Sequence, residues 1–317
     1  MSRLATLAVI AAALAPLPLG AQRNLVVHAD SLLSSGRVLA AETLYYQASR
    51  ERPRDPAARL ALGRYLAARG ALRVGAVLME EARYFGGDPA VIAAQLAPVY
   101  ARLGEWRALA SLPGSSLSYA ERARAEFLRE EKGTVTGPDT TTLPYTPEGG
   151  PVLGSILMAI GDDTVEARID PTVQGLVLDS TWAGREELRI FKSQFDTDIS
   201  LFAAVAPRIS IGATTVTQVP ARFDMTSGPR NVRLGLDVLA AMTPTFDPTA
   251  RTVTLRRAVP PPGAMVGVRH QTLTYPSGVW IIDGNGIRFL TSESGRELIG
   301  GARWTLDARR GEIVVHR

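Results

Sequence analysis

The sequence predicts a multi-domain chain, helical first and all-β afterwards. Three observations carry that expectation. Glycines recur at a 34-residue interval, at Gly36, Gly70 and Gly104, through a stretch with almost no β pattern. The run GTVTGPDTTTLPYTPEGG, residues 133–150, is rich in Thr, Pro and Gly and has no apolar periodicity. Beyond it, short apolar runs alternate with Gly and Asp turns down to the last residues.

The chain has 317 residues, 46% of them hydrophobic, enough for two modest domains with their own cores. Residues 1–21 carry one Arg, an apolar run from Leu4 to Ala15 and small residues at Gly20-Ala21. This reads as a secretory signal peptide cut before Gln22. Its apolar part is too short for a membrane span, and no later stretch is long enough. The chain contains no cysteine, so disulfides, thiol nucleophiles and a lipid-anchoring Cys are excluded. A bacterial periplasmic or secreted location is the expectation. The net charge is +4, and the 35 basic residues include two lysines, Lys132 and Lys192. No basic cluster is interleaved with aromatics, so nucleic acid is not expected as a partner.

Residues 22–132 form the helical part. Leu60, Leu62 and Leu66, then Val74, Val77 and Leu78, recur at helical spacing and give each helix one apolar face. A helix pair cannot bury that face alone, so pairs stack. Asp55-Pro56 and Asp88-Pro89 each supply an N-cap followed by an N1 proline. The last helix, Tyr119–Lys132, is polar on one side and closes the stack. The region resembles tetratricopeptide-type repeats, in which Gly36, Gly70 and Gly104 match the mid-repeat glycine. Ala48 and Ala82 match the small residue of the second helix, Leu62-Gly63 and Tyr100 the first helix, and Pro53 the closing proline. A generic helical bundle is the alternative. Either form is a scaffold or a partner-binding surface.

Residues 133–150 read as a linker and residues 151–257 as the β domain. Ser155–Ile160 and Thr164–Ile169 flank Gly161-Asp162-Asp163, a hairpin that ends on the carboxylate of Asp170. The apolar run Gly175–Leu178 and a short helix from Ser180 follow. Further strands are expected at Arg189–Phe191, Ile199–Val205, Pro207–Ile211 and Val216–Phe223. The stretch Arg168-Ile169-Asp170-Pro171-Thr172-Val173 resembles the retropepsin-like aspartyl protease motif, apolar-apolar-Asp-Thr-Gly-Ala/Ser. Leu234-Gly235-Leu236-Asp237 and Leu239 match a later landmark of that family, as do Thr245-Phe246-Asp247 and Arg251–Leu255. The resemblance covers about 105 residues and implies a retropepsin-like barrel, with Asp170 at the end of a core strand near Gly235. An unrelated barrel or sandwich is the alternative. Gly235 would let the backbone pass close to the Asp170 strand, and Asp237 reads as a cap for the helix that follows it.

Residues 258–317 form a β-rich extension. Gly278–Ile282 and Ile287–Leu290 flank Asp283-Gly284-Asn285-Gly286, a hairpin signal. Trp304-Thr305-Leu306-Asp307 echoes Pro244-Thr245-Phe246-Asp247. A cropped second lobe would make Asp283 a weak second carboxylate; the plainer reading makes it a turn residue.

The resemblance implies peptide hydrolysis by Asp170, with a peptide or protein as partner. A dyad needs two carboxylates sharing a proton, so a single lobe must dimerise or find a second lobe. The chain departs from the motif at Pro171 and Thr172. Pro171 lacks both a hydroxyl and a backbone N–H, and Thr172 has a side chain where the family has none. Weak or absent hydrolysis is therefore expected, and a degenerate peptide-binding or interaction module is the alternative. No cofactor is expected. His28, His270 and His316 lie far apart without metal-ligand spacing, so no metal is expected.

Overall fold

The computed structural model describes residues 19–148, 153–225, 231–258, 260–261, 264–283 and 286–316. Nearly all of the expected signal peptide lies outside the described residues. Among the described residues no helix is long and apolar enough to cross a membrane.

Seven helices come first: α1 (Leu19–Ser34), α2 (Val38–Glu51), α3 (Pro56–Ala68), α4 (Leu72–Tyr84), α5 (Pro89–Leu103), α6 (Trp106–Ala110) and α7 (Tyr119–Glu130). Gly36, Gly70 and Gly104 are the left-handed residues between α1 and α2, α3 and α4, and α5 and α6, with φ of 80°, 91° and 68°. The 34-residue recurrence is therefore a recurrence of helix-to-helix turns. Asp55 caps α3 through the Ala57 N–H, and Asp88 caps α5 through the N–H groups of Ala90 and Val91. Ser118 and Glu121 close a reciprocal capping box on α7. The helices pack closely at small residues. A Cβ on Gly75 would stand 2.7 Å from the Gly63 carbonyl, and one on Gly63 would stand 2.9 Å from that of Gly75. Ala48 and Ala82 are buried.

The β region starts earlier than the sequence suggests. Residues 133–150, expected as a linker, carry β1 (Val135–Thr136), β2 (Thr140–Pro144) and β3 (Thr146–Pro147). The physical reason is the alternation of Thr141 and Leu143, which point inward, with outward neighbours. Pro144 is tolerated because β2 is the edge of its sheet. Then come β4 (Gly154–Ile160), β5 (Asp163–Asp170), β6 (Leu176–Leu178), β7 (Arg189–Phe191), β8 (Ala203–Ile211), β9 (Thr214–Phe223) and β10 (Val232–Gly235). The expected strand over Ile199–Val205 is a 3-10 turn, Ile199–Leu201, that Asp198 caps through the Ser200 N–H; the strand starts only at Ala203.

Six strands close on themselves in the order β4, β5, β10, β6, β9, β8 and back to β4. This is the fold class expected, helices followed by a closed six-strand barrel. β10 runs parallel to β5 and antiparallel to β6, which places Gly235 beside Asp170. A short helix, α8 (Leu236–Ala240), follows directly.

The second sheet comprises β2, β11 (Thr245–Asp247), β12 (Thr252–Arg256), β13 (Val268–Tyr275), β14 (Gly278–Asp283), β15 (Gly286–Phe289), β16 (Trp304–Asp307) and β17 (Glu312–Val315). Helix α9 (Glu293–Ile299) sits between β15 and β16. The strand order is β15-β14-β13-β17-β16-β11-β12-β2, so the sheet crosses the boundary expected at 257/258. The two echoing segments meet: β11 pairs with β16, Phe246 opposite Trp304, with ring centroids 4.4 Å apart. The hairpin of β14 and β15 is present, and its central Gly284-Asn285 lies outside the described residues.

The helices dock on this second sheet. Tyr45, Leu62 and Tyr65 share one apolar cluster with Leu273, Trp280 and Ile282. Because Gly63 and Gly75 hold α3 and α4 at backbone contact, Gly75→Ala is expected to destabilise the chain by about 1–3 kcal/mol. Chemical denaturation of the full-length protein measures it.

Candidate functional site

Asp170 ends β5, where the barrel strand gives way to the loop Pro171–Gly175. Its carboxylate is 4% exposed and surrounded by donors. Oδ1 accepts from the Thr172 backbone N–H at 2.8 Å and from the Thr172 hydroxyl at 2.6 Å. Aspartate often closes such a turn two residues onward. Oδ2 accepts from Arg233 Nη1 at 3.4 Å, and Arg233 Nη2 donates to Asp224. Thus Thr172, which stands where the motif has glycine, spends its hydroxyl on Asp170. Among the described contacts, the groups on Asp170 are an amide, a hydroxyl and a guanidinium, and none is a second carboxylate.

Gly235 lies alongside. A Cβ there would stand 2.7 Å from the Val173 carbonyl and 2.9 Å from the Gly175 nitrogen. The Gly235 N–H donates to the Gly175 carbonyl at 2.7 Å. Asp237, two residues on, accepts from the Gly175 N–H with Oδ1 at 3.1 Å and Oδ2 at 3.2 Å. It therefore ties the first turn of α8 to the Asp170 loop; the expected capping role does not fall to it, because Gly235 is the N-cap of α8 and Asp237 lies within the helix.

Asp283, the weak second carboxylate, is elsewhere. It ends β14 opposite Gly286 and pairs with Arg288 Nε at 2.5 Å. Among the described contacts, Asp170 and Asp283 share no partner. Among the described residues, no group of three or more His, Asp or Glu is placed to hold a metal ion.

The loop borders a cavity of about 900 Å³, within the size range of ligand pockets. Its barrel side comprises Pro171–Gly175, Asp237 and β9 from Thr217 to Arg222; its helical side includes Leu72, Arg102, Trp106 and Arg124. Asp170 itself is not part of the lining, whereas Asp237 meets solvent there. Arg102 donates to the Thr274 carbonyl at 3.4 Å, and Arg124 to the Ala221 carbonyl at 2.9 Å. The protein around the cavity floor pushes the Asp237 carboxyl above the usual carboxylate range; the Gly175 and Val238 amides and Arg102 pull it back. Solvent in the cavity moderates the effect.

The sequence marked Asp170, Pro171, Thr172, Gly235 and Asp237 but not Arg233, Asp224, Arg102 or Arg124. A charged Arg233 between Val232 and Leu234 in an apolar strand was the one available signal. Nothing in the sequence separates Arg102 and Arg124 from the other helix-surface arginines.

Two outcomes follow from this geometry. Arg233→Met leaves the buried Asp170 carboxylate without its cation and is expected to destabilise the protein by about 3 kcal/mol at neutral pH. Adding Asp170→Asn should recover part of that loss, which a double-mutant cycle by denaturation measures. For Asp237, a carboxyl raised on folding binds its proton more tightly in the folded state. Its contribution to stability is present at low pH and is lost as pH rises through the folded value. The Tm of Asp237→Asn relative to wild type is therefore expected to increase between pH 4 and pH 8. A flat difference across that range would show that the site does not shift this group.

No family model matches the chain, and no curated protein matches it. Among solved structures, it is similar to a retropepsin-like aspartic protease from Rickettsia conorii. The two share 11% identity and a TM-score of 0.27, over 39% of this chain and 93% of that one.

Proposed function

We propose that this chain is an exported, protease-like binding module that holds an extended peptide in the cavity beside the Asp170 loop without hydrolysing it. One observation carries this reading. The Asp170 carboxylate is buried against Thr172 and Arg233 and faces its own loop, while the open cavity beside it presents backbone, apolar groups and arginines. An aspartic dyad needs a second carboxylate about 3 Å away and a water between the two. The surroundings of Asp170 offer donors instead. On this reading the helical part is a tetratricopeptide-type scaffold that forms one side of the binding cavity.

Hydrolysis is the second reading, favoured by the placement of a carboxylate at the end of a barrel strand beside Gly235. An acid-pH cleavage assay on an unstructured protein, with and without pepstatin, separates the two. No cleavage by the folded wild type is expected. Robust cleavage that disappears in Asp170→Asn would establish a hydrolase and overturn the binding reading.

A further inference from the structure

The cavity is unevenly charged. Five arginines line it, Arg73, Arg102, Arg124, Arg222 and Arg309, against two carboxylates, Glu121 and Asp237. The carboxylates are already engaged. Glu121 accepts from the Ser118 N–H in the capping box at 2.8 Å, and Asp237 accepts from the Gly175 N–H. Arg73 has an ion-pair partner in Glu105. Among the described residues, Arg102, Arg124, Arg222 and Arg309 take part in no ion pair with a carboxylate at salt-bridge distance.

Arg124 and Arg222 form the focus. Arg124 reaches from α7 across to the barrel and donates to the Ala221 carbonyl, the residue before Arg222. Arg124 thus reaches the strand that carries Arg222, and both arginines line the cavity. Burial and the neighbouring Arg222 both hold the Arg124 guanidinium below its ordinary value, and Glu121 opposes them. Keeping a poorly solvated cation beside a like charge is costly unless an anion completes the arrangement. A guanidinium carries five N–H donors in a planar fork that matches a carboxylate in two-point contact. Arg124 directs one nitrogen at the Ala221 carbonyl, so donors remain for a ligand.

We infer that the cavity selects an acidic peptide segment, with a ligand carboxylate seated between Arg124 and Arg222. The inference rests on the peptide-binding reading and adds the charge of the ligand to it. Apolar side chains of the segment would lie against Trp106, Leu72 and Val173, which line the same cavity. Asp237 and Arg102 stand near enough to influence each other. Asp237 therefore opposes a second ligand carboxylate at the α8 end and favours the β9 end, where Arg124 and Arg222 lie.

The test uses the full chain after signal removal and two labelled decapeptides of the same Ala/Leu/Gly background. One carries two glutamates and the other carries glutamines at the same positions. Fluorescence anisotropy is expected to show the Glu peptide binding on the order of tenfold more tightly than the Gln peptide at low salt. That preference should shrink as ionic strength rises. Arg222→Gln, at an exposed position, is expected to remove most of the preference without moving the thermal midpoint. Arg222→Glu should reverse the preference towards a Lys-bearing decapeptide. Equal binding of both peptides, unaffected by Arg222→Gln, would overturn the charge selection and leave the peptide-binding reading intact. Binding of neither peptide would overturn both. Tighter binding of a single-stranded oligonucleotide than of the Glu peptide would overturn the acidic-peptide assignment in favour of a polyanion.

Discussion

The backbone contact at Gly235 is the constraint on which the site depends. β10 runs parallel to β5 and brings Gly235 level with Asp170, too close to the Val173 carbonyl and the Gly175 nitrogen for any side chain. From that point the chain turns directly into α8, which sets Asp237 against the Gly175 amide. Two residues back along β10, Arg233 reaches Asp170 and Asp224. The strand therefore supplies the close approach and the cation beside Asp170, and the helix that follows it supplies Asp237.

On the binding reading, this arrangement gives Asp170 a structural task. A carboxylate with an amide, a hydroxyl and a guanidinium on it is well satisfied in a buried place, where an unpaired one would be costly. The replacement of glycine by Thr172 matters more through chemistry than through bulk. Its hydroxyl is the shortest contact to Asp170, 2.6 Å, in an ordinary turn of the Asp-x-Thr type. Asp179 and Thr181 repeat the pattern one element later, with the Thr181 N–H donating to Asp179 at 2.8 Å.

The cavity owes its existence to docking of the helices. Gly36 and Gly70, at two helix turns, abut turns of the second sheet: Gly36 touches Gly286, and Gly70 lies against Ala308 and Gly311. Tyr45, Leu62 and Tyr65 extend that contact into a shared apolar cluster with Leu273. Held there, α5 presents Arg102 to the β13 carbonyl of Thr274 in the second sheet, and α7 presents Arg124 to the β9 carbonyl of Ala221 in the barrel. A barrel alone would leave the Asp170 loop facing bulk solvent. With the helices in place it faces a cavity lined by arginines.

Much of the local structure was legible in the sequence. The recurrence of Gly36, Gly70 and Gly104 reports positive φ, and Asp55-Pro56 and Asp88-Pro89 report helix starts, because both are set by local sterics and hydrogen bonding. The hairpin before Asp170 and the strand-to-helix passage at Leu234-Gly235-Leu236 were readable for the same reason. The strand β2 was hidden because Pro and Gly around it signal a loop, while its pairing with β12 is a long-range event. The partners of Asp170 were hidden too. Arg233 lies 63 residues away in the chain, and Arg124 lies 97 residues from the carbonyl it meets on β9. The sequence by itself determined the order of elements, the turns and the carboxylate at the end of β5. Tertiary structure alone decided that this carboxylate faces an arginine, since which charges meet across a fold depends on strand pairing and docking rather than on local pattern.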